Sequence, residues 1–181
     1  MKKLLALLVL AAFLLCSCRA ENADTGGERF FDYQKGLRMV EGTFFEGAQE
    51  YGIKLYFKTK EGEAGVCRRV EYTSPETVKG LIFTLEGQKI TAELAGVRIN
   101  GSYFMYDSVF RMKEMFSLSE ADILSIEKGE NETTVATGKA GDDSWQVTTG
   151  RNGIPKMIVY ESAEGSYKIK IDKVEFADQL C

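Results

Sequence analysis

Apolar and polar residues alternate along most of the chain. Ile53, Leu55 and Phe57 are interleaved with Lys54, Tyr56 and Lys58, the period-two pattern of a strand with one buried face. Leu81, Phe83 and Leu85 repeat it, then Ile90, Ala92 and Leu94, with Glu86-Gly87-Gln88 as the tight turn between them. Val66, Val70 and Tyr72 mark another strand, whose opposite face carries Cys67, Arg69 and Glu71. Further strands are expected at Thr133 to Thr137, Trp145 to Thr149, Lys156 to Tyr160 and Tyr167 to Phe176. They are joined by glycine-bearing turns at the spacing of an antiparallel meander. In the last strand Tyr167, Ile169 and Ile171 share one parity while Val174 and Phe176 fall on the other, so a bulge near Asp172-Lys173 is expected.

One segment breaks this rhythm. From Tyr103 to Phe116 the apolar residues Met105, Val109, Met112 and Phe116 follow helical spacing, and Tyr106 and Phe110 widen the stripe. Arg111, Lys113 and Glu114 lie mostly to the other side. Ser119 to Asp122 reads as the start of one more short turn. The fold class expected is therefore mainly β (α+β): a curved, half-barrel-like antiparallel sheet with one helical insertion packed on its concave face.

The beginning of the chain has a different pattern. Lys2 and Lys3 precede an unbroken apolar run from Leu4 to Cys16, thirteen residues long. A spanning helix needs roughly 20 such residues and an export signal about 7–15. The run closes on Leu15-Cys16-Ser17-Cys18, which resembles the lipobox of bacterial lipoproteins: a branched apolar residue three before the cysteine and a small one just before it. That resemblance implies cleavage after Ser17 and acylation of Cys18, with two or more acyl chains to hold the membrane. An ordinary secretory leader with incidental cysteines is the alternative. Three regions follow: 1–17 as signal peptide, 18–28 as a flexible lipid-anchored tether and 29–181 as a single domain. The location implied is the extracytoplasmic face of the cell membrane, or the outer membrane in a Gram-negative host.

Processing changes the charge balance. Formal net charge on the whole chain is −4; losing Lys2 and Lys3 takes Lys+Arg from 23 to 21 against 27 acids, or −6. Charges of both signs are interspersed, so no nucleic-acid partner is expected. Of four cysteines, Cys16 leaves with the leader and Cys18 is the anchor, leaving Cys67 and Cys181, which an oxidising compartment would allow to pair.

A second resemblance covers residues about 37 to 176. Tyr72-Thr-Ser-Pro-Glu-Thr-Val-Lys-Gly80 followed by Leu-Ile-Phe-Thr is similar to an element of small exported lipoproteins of clostridia-like bacteria. Gly153-Ile-Pro-Lys-Met-Ile-Val-Tyr160, with the strand after it, resembles their closing hairpin and that of the periplasmic lipoprotein-carrier (LolA/LolB-like) half-barrels. The resemblance implies a curved sheet wrapped over helix around an apolar cavity, in some relatives a lipid or acyl-chain site.

The chain contains no histidine, which removes Ser-His-Asp and Cys-His catalysis and imidazole metal sites. No nucleophile motif replaces them, so the reading is not an enzyme, with no cofactor and no metal. Glu120/Asp122 and Asp142/Asp143 are acidic pairs, the latter placed where turn chemistry calls for aspartate. Arg68 and Arg69, adjacent in a strand, are expected to face opposite sides. Met105, Tyr106, Val109, Phe110, Met112 and Phe116 are the candidates for lining a hydrophobic pocket. The same residues serve equally as the core face of a helix. Two functions from different classes follow: a binding module for an apolar or amphipathic ligand such as lipid, or an envelope protein-interaction or structural module with a filled core.

Overall fold

The computed structural model describes residues 30–58, 64–87, 89–102 and 106–177. Eleven strands among them form one antiparallel sheet: β1 (Leu37–Glu46), β2 (Gln49–Lys58), β3 (Val66–Ser74), β4 (Ile82–Glu86), β5 (Lys89–Leu94), β6 (Val97–Ser102), β7 (Ile123–Lys128), β8 (Thr134–Ala140), β9 (Asp143–Thr149), β10 (Pro155–Ser162) and β11 (Gly165–Phe176). A helix, α1 (Asp107–Met115), lies between β6 and β7. The spatial order is β6-β5-β4-β3-β2-β1-β11-β10-β9-β8-β7. From its centre at β1 the chain steps outward hairpin by hairpin to β6, crosses to the far edge through α1, and steps back until β11 pairs with β1.

That crossing demands curvature. Nine helical residues span about 13.5 Å, yet α1 approaches both β3 and β10. These strands are four spacings apart, roughly 19 Å across a flat sheet. The sheet therefore curls around the helix. Val40, Phe44, Ile53, Leu55, Val70, Ile158 and Ile169 from the sheet and Val109, Met112, Met115 and Phe116 from the helical segment form a single buried core. Each such side chain contributes roughly 1.5–3 kcal/mol. Among the described residues no helix is long and apolar enough to cross a membrane.

Bulges decide which residues reach this core. The expected break in β11 is present: Lys173 pairs with Glu41 and Ile171 with Gly42, so Asp172 is the extra residue and Val174 returns to the core side. A second bulge overturns one expectation. Tyr56 pairs with Arg69 but Phe57 with Cys67, so Arg68 is extra in β3. Cys67 turns inward, Val66 turns out to 44% exposure, and Arg68 and Arg69 are both exposed instead of facing opposite sides. In β8, Gly138 sits opposite Trp145 of β9. A Cβ there would run into the indole ring and the Asp122 carbonyl, so the close packing of this pair requires glycine.

Candidate functional site

Two places on α1 gather chemistry, one at each end. At its N-terminal end the helix is fastened to the rim formed by the β1–β2, β8–β9 and β10–β11 hairpins. Ser108 donates to Glu46 (2.6 Å), and the Tyr167 hydroxyl donates to Asp107 (2.8 Å). Arg111, one turn on, is 11% exposed and stands among four carboxylates: Glu164 at 2.6 Å, Glu114 at 3.0 Å, Asp143 at 3.2 Å and Asp107 at 3.5 Å. Tyr160 donates to Asp143 (2.9 Å) and places its ring beneath the guanidinium. Burial raises the carboxyl of Glu114 from its ordinary range, with Arg111 opposing the shift. Every carboxylate here accepts from, or is paired with, the arginine or a hydroxyl. The arrangement holds a helix against a rim, and it offers no free acid–base pair. Asp143 is thus more than a turn residue.

At the other end, where α1 finishes, the strands leave a cleft of about 400 Å³. Three segments build it. The first is residues 31–35, including a 3₁₀ turn at Asp32–Gln34. The second is residues 64–66 before and into β3, and the third is residues 116–120 after α1. Each segment is tied to another. Gly65 N–H donates to the Gln34 carbonyl (2.9 Å). The Gln34 amide donates to the Leu118 carbonyl (3.2 Å), and Phe31 N–H donates to Glu120 (2.7 Å). Phe31, Val66, Phe116 and Leu118 supply apolar lining, backed by Trp145 against Phe31 and Phe57 against Phe116. Lys35, paired with Asp32 at 2.6 Å, adds charge at the margin. The walls are cross-braced before any ligand arrives, the condition for a preformed pocket.

The sequence candidates separate accordingly. Phe116 lines the cleft. Val109 and Met112 are buried in the common core. Tyr106 packs edge-on against Phe83 with ring centroids 5.1 Å apart, and Phe110 is half-buried between Arg111 and Lys113. Met105, Cys18 and Cys181 lie outside the described residues. Cys67 is buried in β3 with its thiol toward the Arg69 carbonyl, and burial pushes that thiol up to about 12. Sequence reasoning missed Phe31, Gln34, Val66 and Leu118, which come from three distant segments without a pattern in common. It also missed Arg111 as a hub, although Asp107, Arg111 and Glu114 stand at i, i+4 and i+3 spacings that signal helix-face ion pairs. Among the described residues no group of three or more cysteines and carboxylates is placed to hold a metal ion.

Neither a protein-family model nor a curated protein matches the sequence. Solved structures do. An uncharacterised conserved protein from Thermus thermophilus superposes with a TM-score of 0.47 at 9% identity, covering 82% of this chain and 83% of that one. The Mycobacterium tuberculosis lipoprotein LppX gives 0.42 at 15% identity, over 77% and 87%. The structure of the CwlD amidase from Clostridioides difficile in complex with the GerS lipoprotein gives 0.39 at 13% identity, over 83% and 87%.

Proposed function

We propose that the chain is an extracytoplasmic lipoprotein anchored through Cys18. Its domain is a non-catalytic module binding the apolar part of an amphipathic ligand such as a lipid. The observation that carries this reading is the cleft at the end of α1, about 400 Å³ with an apolar floor and braced walls, within the ~300–1,000 Å³ of small-molecule sites. Covering Val66 alone, 44% exposed in the free chain, contributes on the order of 1 kcal/mol of binding. The cleft also adjoins Phe31, at the start of the domain. The stretch of roughly a dozen residues from Cys18 to Arg29 reaches at most about 40 Å, so an acylated Cys18 keeps this end within reach of the bilayer that supplies the ligand.

A fluorescent polyene fatty acid titrated into purified, detergent-free protein tests the site. Wild type is expected to bind it, and Val66→Asp to bind at least tenfold more weakly with an unchanged melting temperature. Equal affinity in the two proteins would move the site away from the cleft. The anchor is tested by mass spectrometry of the mature N-terminus. The chain is expected to begin at an acylated Cys18, and recovery of an unacylated chain starting elsewhere would rule out acylation there.

A further inference from the structure

The two ends of the sheet differ in a way the cleft does not explain. β7 is protected as sheet edges commonly are: its register with β8 shifts between Ile123 and Ser125, leaving Leu124 as an extra residue, and Glu127 and Lys128 place charge on the strand. β6 carries one charge, Arg98, but no bulge, and β7 for its part exposes Leu124 and Ile126. β6 pairs with β5 in unbroken register from Val97↔Leu94 to Ser102↔Lys89, with no proline, and its other edge is unpaired among the described strands. Its concave side presents Ile99, 54% exposed, in the same row of the sheet as the buried Ala92 and Phe83, and Val97, 64% exposed, beside the exposed Leu94 at the hairpin end. Its convex side presents Arg98, paired on the β5 side with Glu93 at 2.7 Å and still largely exposed.

We propose that β6 is a docking edge for an extended segment of a partner protein, which adds as a twelfth strand. The side chains fix the chemistry of that segment. Residues facing Val97 and Ile99 must be apolar to cover them, and the residue between, facing Arg98, is acidic, completing a carboxylate–guanidinium–carboxylate row across three strands. The partner motif is therefore apolar–acidic–apolar. Charge argues against a second copy of this chain as occupant. The antiparallel register that sets Val97 against Ile99 of the other copy, and so covers both apolar residues, also sets Arg98 against Arg98.

The probes are two six-residue peptides of alternating valine and polar residues, one with glutamate between two valines and a twin with lysine there, titrated into the full chain. The glutamate peptide is expected to bind at least tenfold more tightly than its twin and to slow amide hydrogen exchange in β6. Arg98→Glu should invert the preference, Arg98→Gln should abolish it, and Val66→Asp should leave it untouched, which separates this surface from the cleft. Equal binding of the twins, or protection arising on β7, would overturn the proposal. So would a concentration-dependent dimer that Ile99→Lys dissolves, which would make the occupant a second copy.

Discussion

Arg111→Met is expected to lower stability by roughly 2–4 kcal/mol at neutral pH, measured by denaturant unfolding. The methionine keeps the apolar stem of the side chain in place, so the loss is electrostatic. Without the guanidinium, Asp143 and Glu114 remain half-buried with their main counter-charge gone, and an ion pair broken on one side costs about 3–5 kcal/mol when fully enclosed. Asp107 and Glu164 are more open to water and lower the figure. The pH dependence supplies a second readout. Burial already raises the Glu114 carboxyl above its unfolded value, and removing the arginine that opposes the shift raises it further, so its protonation on acidification favours the folded variant. The gap between wild type and Arg111→Met should narrow between pH 7 and pH 5. Arg111→Lys should recover part of the loss. A variant that unfolds at the wild-type midpoint would show that the cluster does not hold the helix.

Alkaline unfolding is the second large effect. Burial is the first cause raising Tyr33, Tyr72, Tyr160 and Tyr167 above the ordinary tyrosine range. Hydrogen bonds donated to Asp143 and Asp107 add to it for the last two, and Tyr167 reaches about 12. Cys67 behaves alike. In the unfolded chain these groups ionise near 8.5 for the thiol and near 10 for the phenols. A raised folded pKa means that the folded chain keeps protons the unfolded chain has released. Stability is complete below the unfolded values and falls as pH rises past them. Each group removes about 1.4 kcal/mol per pH unit in that window. Five together would exhaust a typical 5–15 kcal/mol within about two units above pH 10. Circular dichroism followed from pH 8 to 12 should show a cooperative loss of the sheet beginning near pH 10. Stability unchanged to pH 12 would mean that the hydroxyls are not enclosed as described.

What the sequence reveals follows from where the chain keeps its period. β2 and β4 alternate without interruption and are legible residue by residue. β5 is so as far as Leu94, which the alternation sets on the buried face with Ile90 and Ala92 but which is 40% exposed at the hairpin end. β1 is not, because a register shift between Leu37 and Met39 brings Met39 and Val40 both into buried positions and breaks the alternation. β3 is legible as a strand but misleads in part, since the extra residue Arg68 reverses Val66 and Cys67. The bulge in β11 can be foreseen because apolar residues stand on both sides of it. The helix announces itself through Val109, Met112 and Phe116, although it begins at Asp107, after the expected start. Of the cleft, Phe116 alone is marked. Its other walls owe their positions to tertiary pairing of segments some 30 and 85 residues apart, and local periodicity carries no trace of that.

The pairing of β1 with β11 sets an order of events for a newly made chain. Phe44 and Ile169 face each other across about 125 positions, whereas every other pairing among the described strands joins chain neighbours. Two meanders, β1–β6 and β7–β11, can each form from local hairpins soon after they emerge. The seam between them closes only when the final strand is available, and closing so long a loop is slow relative to hairpin formation. Until then β1 is itself an edge, long and rich in apolar residues, and exposed to pairing with other chains. The last segment to be made is thus also the one that completes the sheet.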